Sequence, residues 1–172
     1  MKLKQKIDLI PGIAYLFIGT LYLLLPLYHI TNIKTIMIIS FIILSLISLS
    51  QFIINKGTKD YSGLYSFIVD IILIITFICV DIHNPQNLSM VLLGWVALTS
   101  LIKLKKSDYY HDRRDKMWKI NVIMLIIFIF TGILTSIHLH YGDSVKLIIL
   151  GYYLIINGIL ETTDPIVKGL IK

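Results

Sequence analysis

A single glutamate, Glu161, and a single cysteine, Cys79, occur among the 172 residues. One glutamate excludes the double-glutamate motif of the intramembrane CAAX-type proteases. No H-E-x-x-H, P-loop or G-x-G-x-x-G segment occurs, so the corresponding metal and nucleotide chemistries have no carrier. Gly142-Asp143-Ser144 has the G-x-S form used by rhomboid proteases, but no histidine follows it to act as base. A lone cysteine rules out an intramolecular disulfide, and Cys79 reads as a small apolar residue. Cys79 and His83 are four residues apart but straddle the predicted membrane edge. The chain is therefore expected not to be an enzyme, and no cofactor is expected.

Charge is also scarce. Charged residues make up 15% of the chain, against about a quarter in soluble domains, and mean hydropathy is +0.83. The charges sit in short clusters separated by runs of Ile, Leu, Phe, Val and Tyr. A helix that crosses a bilayer needs about 20 mostly apolar residues, and hydrocarbon leaves no partner for a free backbone group, so such runs must be helical. Six segments qualify: Leu9–Leu27, Thr35–Ile54, Leu64–Val80, Leu88–Leu104, Trp118–Ile137 and Val145–Thr163. The fold class is all-α, a polytopic membrane protein forming a single membrane domain over residues 1–172. Lys103, at the end of the fourth segment, is expected to snorkel to the surface. Lys2, Lys4 and Lys6 followed by an apolar run imitate a signal peptide. No small-x-small cleavage site follows, so the first helix is expected to be retained.

Lysine and arginine mark cytoplasmic loops. With the N-terminus inside, fourteen of the sixteen basic residues are cytoplasmic, and only Lys34 and Lys146 fall outside. Both termini are thus expected in the cytoplasm, in the cell membrane. The net charge of +6 is a topology signal rather than a sign of nucleic-acid binding.

The short outer loops pair the helices as three antiparallel hairpins, over residues 7–55, 62–104 and 117–164. The second helix of each carries two aliphatics, a small residue and an aromatic: Ser40-Phe41, Gly94-Trp95 and Gly151-Tyr152. Gly19, Thr76 and Gly132 hold similar places in the first helices, and the spacing is about 55 residues, as in a parallel repeat. Gly12, Gly19, Gly94, Gly132, Gly151 and Gly158 are expected to let helix backbones approach, since no hydrophobic force joins helices in lipid.

Asp70 is the most informative residue. It lies inside the third helix, where a charge costs roughly 2.5–3.5 kcal/mol on insertion scales and is by default functional. Ser45, Ser48, Thr99, Ser100 and Asn157 fall near its depth, with Asn121 closer to the surface. Together they predict a polar layer in the inner third of the bundle. It is read either as a proton or cation site, or as a packing device in which Asp70 bonds Asn157 or a hydroxyl; contact between Asp70 and Asn157 is expected. His29, His83, His138 and His140 fall at the outer loops with Asp143. Imidazole titrates near pH 6.5, so this face could sense acid, and His138-x-His140 with Asp143 could hold zinc or copper. Scattered interfacial polar residues would look the same.

The fourth loop, Lys105–Lys119, is the largest element outside the bilayer. Asp112/Lys116 and Asp115/Lys119 have helical spacing. Lys105, Lys106, Arg113, Arg114 and Trp118 are expected to lie on anionic headgroups. The lipid bilayer is the predicted partner, with a second copy or another membrane protein also open.

The three-hairpin plan, Gly94-Trp95, Gly151-Tyr152 and the first helix from Gly12-Ile-Ala-Tyr-Leu-Phe-Ile-Gly19 to Pro26 resemble the HdeD-like family of small bacterial six-helix membrane proteins. Its members are richer in glycine than this chain, which has 10. The resemblance implies a non-enzymatic inner-membrane protein that supports acid or envelope stress resistance, and it carries over no site. Two further readings stand beside it. One is a small proton or cation channel or carrier built on Asp70. The other is an immunity or accessory protein bound to another membrane protein.

Overall fold

The structure, a computed structural model, describes residues 3–55, 61–112, 115 and 117–170. Among them are six α-helices and no strand: α1 (Leu3–Leu24), α2 (Ile33–Asn55), α3 (Ser62–Cys79), α4 (Pro85–Asp112), α5 (Met117–Ile137) and α6 (Asp143–Leu170). All six are long and apolar enough to cross a membrane. A 3-10 turn at Leu25–Tyr28 ends α1 where Pro26 removes a donor, and His29 closes it in the left-handed conformation (φ 58°). Pro85 opens α4, where its missing N–H costs nothing.

Most of the predicted fourth loop belongs to α4, which continues to Asp112. The Asp115/Lys119 pair does not lie within one helix. The chain leaves α4 after Asp112, and Asp115 caps α5 instead, its carboxylate accepting the Met117 N–H at 3.1 Å. Arg113, Arg114 and Lys116 lie outside the described residues.

Each helix neighbours the next in sequence, and α1 meets α6, so the six form a closed ring. Tight and loose seams alternate around it. The close pairs are α1 with α6, α2 with α3, and α4 with α5; the pairs joined by the short loops touch less extensively. One end of the ring carries the start of α1, the end of α6 and the lysines Lys103, Lys105, Lys106 and Lys119 of α4 and α5, and is termed the basic end. The other carries His29, His83, His138 and His140 and is termed the histidine end.

Small residues make the tight seams. On α1 and α6, glycines two turns apart interlock reciprocally. A Cβ at Gly19 would lie 2.8 Å from the Gly151 carbonyl oxygen, and one at Gly158 would lie 2.9 Å from that of Gly12. Gly63 plays the same part between α3 and α2, against the Ser48 carbonyl at 2.8 Å, and Gly132 between α5 and α4, against Val96. Gly94 does not, contrary to expectation: it faces outward with nothing within 4 Å.

The core is an aromatic layer to which every helix contributes one ring. Trp95 of α4 is its hub, with Tyr15 (α1) stacked at 6.4 Å, Phe41 (α2) edge-on at 5.2 Å, Tyr153 (α6) edge-on at 5.5 Å and Phe128 (α5) at 6.4 Å. Phe77 (α3) joins through Phe41 at 5.4 Å. Such edge-to-face pairs add to area burial. Phe41 and Trp95, the aromatics of the small-aromatic pattern in α2 and α4, are both buried in this core. In the third unit the partner is Tyr153, because Tyr152 points outward, 58% exposed.

Leucine at Gly19 or Gly151 is expected to destabilise the bundle by at least about 1–3 kcal/mol, the usual cost of overpacking, since the obstacle is backbone. Leucine at Gly94 is expected to be neutral. Thermal unfolding of the three variants in detergent checks this.

Candidate functional site

Between the aromatic layer and the basic end, the ring encloses a polar cavity of about 140 Å³. Tyr15 and Trp95 form its floor, and Asp8, Ser62, Tyr110 and Asp164 stand toward the basic end. The remaining polar lining comes from Ser48, Gln51, Ser66, Asp70, Thr99, Lys103, Lys106, Asn121 and Glu161.

Asp70 reaches this space because its side chain leans back along α3, toward the basic end, where Gly63 holds α2 close. Only 3% of the residue is exposed. Its Oδ2 accepts the Ser48 hydroxyl at 3.2 Å. No lysine among the described residues pairs with it, because both cavity lysines are engaged elsewhere. Lys103 of α4 pairs with Glu161 of α6, and Lys106 with Asp164. Both pairs are three residues apart on each helix, so they form a two-rung ladder. The backbones of α4 and α6 do not touch; the ladder crosses the interior between them. Lys103 also lies 4.8 Å from the centre of the Phe128 ring, a cation–π contact.

One cavity contact repairs a backbone defect. Pro11, inside α1, has no N–H for the carbonyl of Ile7. The Gln51 amide of α2 donates to that carbonyl at 3.1 Å.

Of the predicted polar layer, the structure brings Asp70, Ser48, Thr99 and Asn121 to the cavity. Ser45 and Ser100 turn back to carbonyls of their own helices, at 2.9 and 2.6 Å. Asn157 is 1% exposed, yet neither polar atom of its amide has a partner among the described residues. The expected Asp70–Asn157 contact is not formed; Ser48 takes that place. Lys103 does not snorkel, and Lys106 turns to Asp164 rather than away from the bundle. Glu161, Asp164 and the two lysines were not read as a site. Their signal was in the sequence all the same: a Lys pair spaced i,i+3 and an acid pair with the same spacing, 58 residues later, close to the repeat length.

At the histidine end His83 Nδ1 lies 3.0 Å from Asp143 Oδ2. Lys146 is buried there, donating to Asp143 Oδ1 at 2.9 Å and to the His83 carbonyl at 2.8 Å. Lys34 donates to the Ile78 carbonyl at the end of α3, 3.0 Å away. The two lysines that depart from the charge bias thus bond main-chain carbonyls of other segments: Lys34 one in the last turn of α3, left open by the helix end, and Lys146 one in the α3–α4 loop. The metal reading finds no support: His138 Nδ1 is bound to the Leu134 carbonyl at 2.7 Å. Among the described residues no three His, Cys, Asp or Glu side chains converge to hold an ion. Toward the opposite end, Lys105 bonds the Tyr65 hydroxyl at 3.1 Å, and Trp118 stacks edge-on with His111 at 5.2 Å.

Comparison with protein-family models, with known proteins and with solved structures found no match.

Removing one member of a buried ion pair strands the other, at a cost of roughly 3–5 kcal/mol, whereas replacing both is often neutral. Lys103→Met is therefore expected to lower thermal stability in detergent sharply, and adding Glu161→Leu to restore most of it.

Proposed function

We propose that this chain is a small multi-pass carrier of the bacterial cell membrane that binds a proton or cation at Asp70, with both termini and the cavity facing the cytoplasm. The observation that carries the reading is the buried Asp70 carboxylate in a polar cavity, with a serine hydroxyl as its partner. An intramembrane acid is costly unless it is used, and a structural Asp would be expected to find a stronger partner. The aromatic layer around Trp95 closes the histidine end of the cavity, which favours a carrier with one-sided access over an open channel. The groups around Asp70 are Asp8 and Tyr15 of α1, Ser48 of α2, Lys103, Lys106 and Tyr110 of α4, and Glu161 and Asp164 of α6. With the lysines held in ion pairs, they leave the cavity suited to positive charge.

Flux tests this directly. Liposomes containing the purified protein are expected to pass protons or monovalent cations down an imposed gradient, and Asp70→Asn to reduce the rate at least tenfold. A rate equal to that of empty liposomes would sink the reading.

The stress role implied by the HdeD-like resemblance is a second reading, supported by the His83–Asp143–Lys146 network. His83 ties the α3–α4 loop to the start of α6, through its ring to Asp143 and through its carbonyl to Lys146. A deletion strain is then expected to lose viability on acid challenge and to be rescued by wild type but not by His83→Asn at matched membrane levels.

A further inference from the structure

We propose that the cavity is a binding site for a small organic ammonium ion, with Asp70 balancing its charge and the rings of Trp95 and Tyr15 forming its cation–π face. The inference rests on the carrier reading for its place in transport, but binding can be tested apart from flux.

Four observations point to this ligand class. First, the cavity holds a carboxylate with one hydroxyl partner at 3.2 Å, so a positive ligand gains a counter-charge already held in place. A second acceptor lines the same cavity, since Asp164 Oδ1 is buried with no partner among the described residues. Second, the floor is aromatic: Trp95 and Tyr15 both line the cavity, with ring centres 6.4 Å apart and planes inclined by 30°. Tryptophan is the best cation–π partner, and aromatic surroundings are the usual means of recognising alkylated ammonium groups. Third, the volume of about 140 Å³ is close to that of the engineered cavity of about 150 Å³ that takes benzene. It therefore suits a compact organic ion of roughly half a dozen heavy atoms. Fourth, the acids do not converge as a multi-carboxylate metal site. Glu161 and Asp164 are bound to Lys103 and Lys106, and no three carboxylate or imidazole groups converge among the described residues. The hydroxyls of Ser66 and Thr99 also line the cavity and can accept N–H donors from a primary or secondary ammonium.

Calorimetric titration of the purified full chain in detergent tests the proposal, with tetramethylammonium and tert-butylammonium chloride as probes. Sodium and potassium chloride and tert-butanol, the neutral analogue, serve as controls. Saturable binding of the ammonium ions and not of tert-butanol is expected. Asp70→Asn should weaken it at least tenfold, and Tyr15→Leu or Trp95→Phe by roughly 3- to 30-fold or less, following the range of cation–π contributions. Tyr15→Leu keeps the aromatic test available should the hub variant unfold. Ammonium binding that is indifferent to Asp70→Asn would overturn the assignment. So would Asp70-dependent flux of protons or sodium in liposomes that tetramethylammonium neither shares nor inhibits, although the carrier reading would then stand. Asp70-dependent ammonium binding without flux of any ion would uphold the site and remove the carrier reading. If neither binding nor flux occurs, both fall.

Discussion

Helices surrounded by lipid gain little from hiding apolar surface from one another, because the tails outside are as apolar as the neighbours inside. Closing a ring of six therefore depends on close backbone contact, and the α1–α6 seam supplies it. Gly12 with Gly158 and Gly19 with Gly151 bring two antiparallel helices to a separation that a side chain would prevent. Without that seam the chain would be an open row of helices. The aromatic layer would lose Tyr15 or Tyr153 from around Trp95, and the cavity would lose a wall.

Given a closed ring, the interior must be filled or its polar groups matched. The level of Trp95 is filled by rings from all six helices. Toward the basic end serines and a threonine join the lining, and two lysines enter together with matching acids. The Lys103–Glu161 and Lys106–Asp164 ladder spans a gap that backbone packing leaves open between α4 and α6. Such pairs gain little net stability when buried, but they hold two non-adjacent helices at a fixed distance. The lining of the cavity depends on that spacing as much as on Asp70.

Much of this was legible in the sequence. The six spans follow from apolar length alone, and the depth of Asp70 follows from counting residues to the helix end. Depth is only one coordinate, however. Ser48, Thr99, Asn121, Ser45, Ser100 and Asn157 share a level with Asp70 or lie near it, but which of them face it depends on helix rotation. A shift of one residue turns a side chain by about 100° (3.6 residues per turn), enough to put Tyr152 outside and Tyr153 in the core. The tight seams were hidden for a similar reason: short loops announce which helices are joined, not which pack most closely. The salt-bridge ladder went unread because Lys103 and Lys106 look like interfacial anchors until α6 supplies their acids.

Gln51 gives the cavity wall an unusual standing. Its amide does what the N–H of residue 11 would do if that residue were not proline, closing the turn at Ile7 from a neighbouring helix. In covalent terms Gln51 belongs to α2; in hydrogen-bonding terms it completes the main chain of α1. Substitution there would act like a backbone lesion in another helix, and α1 cannot shift along α2 without reopening its own proline break.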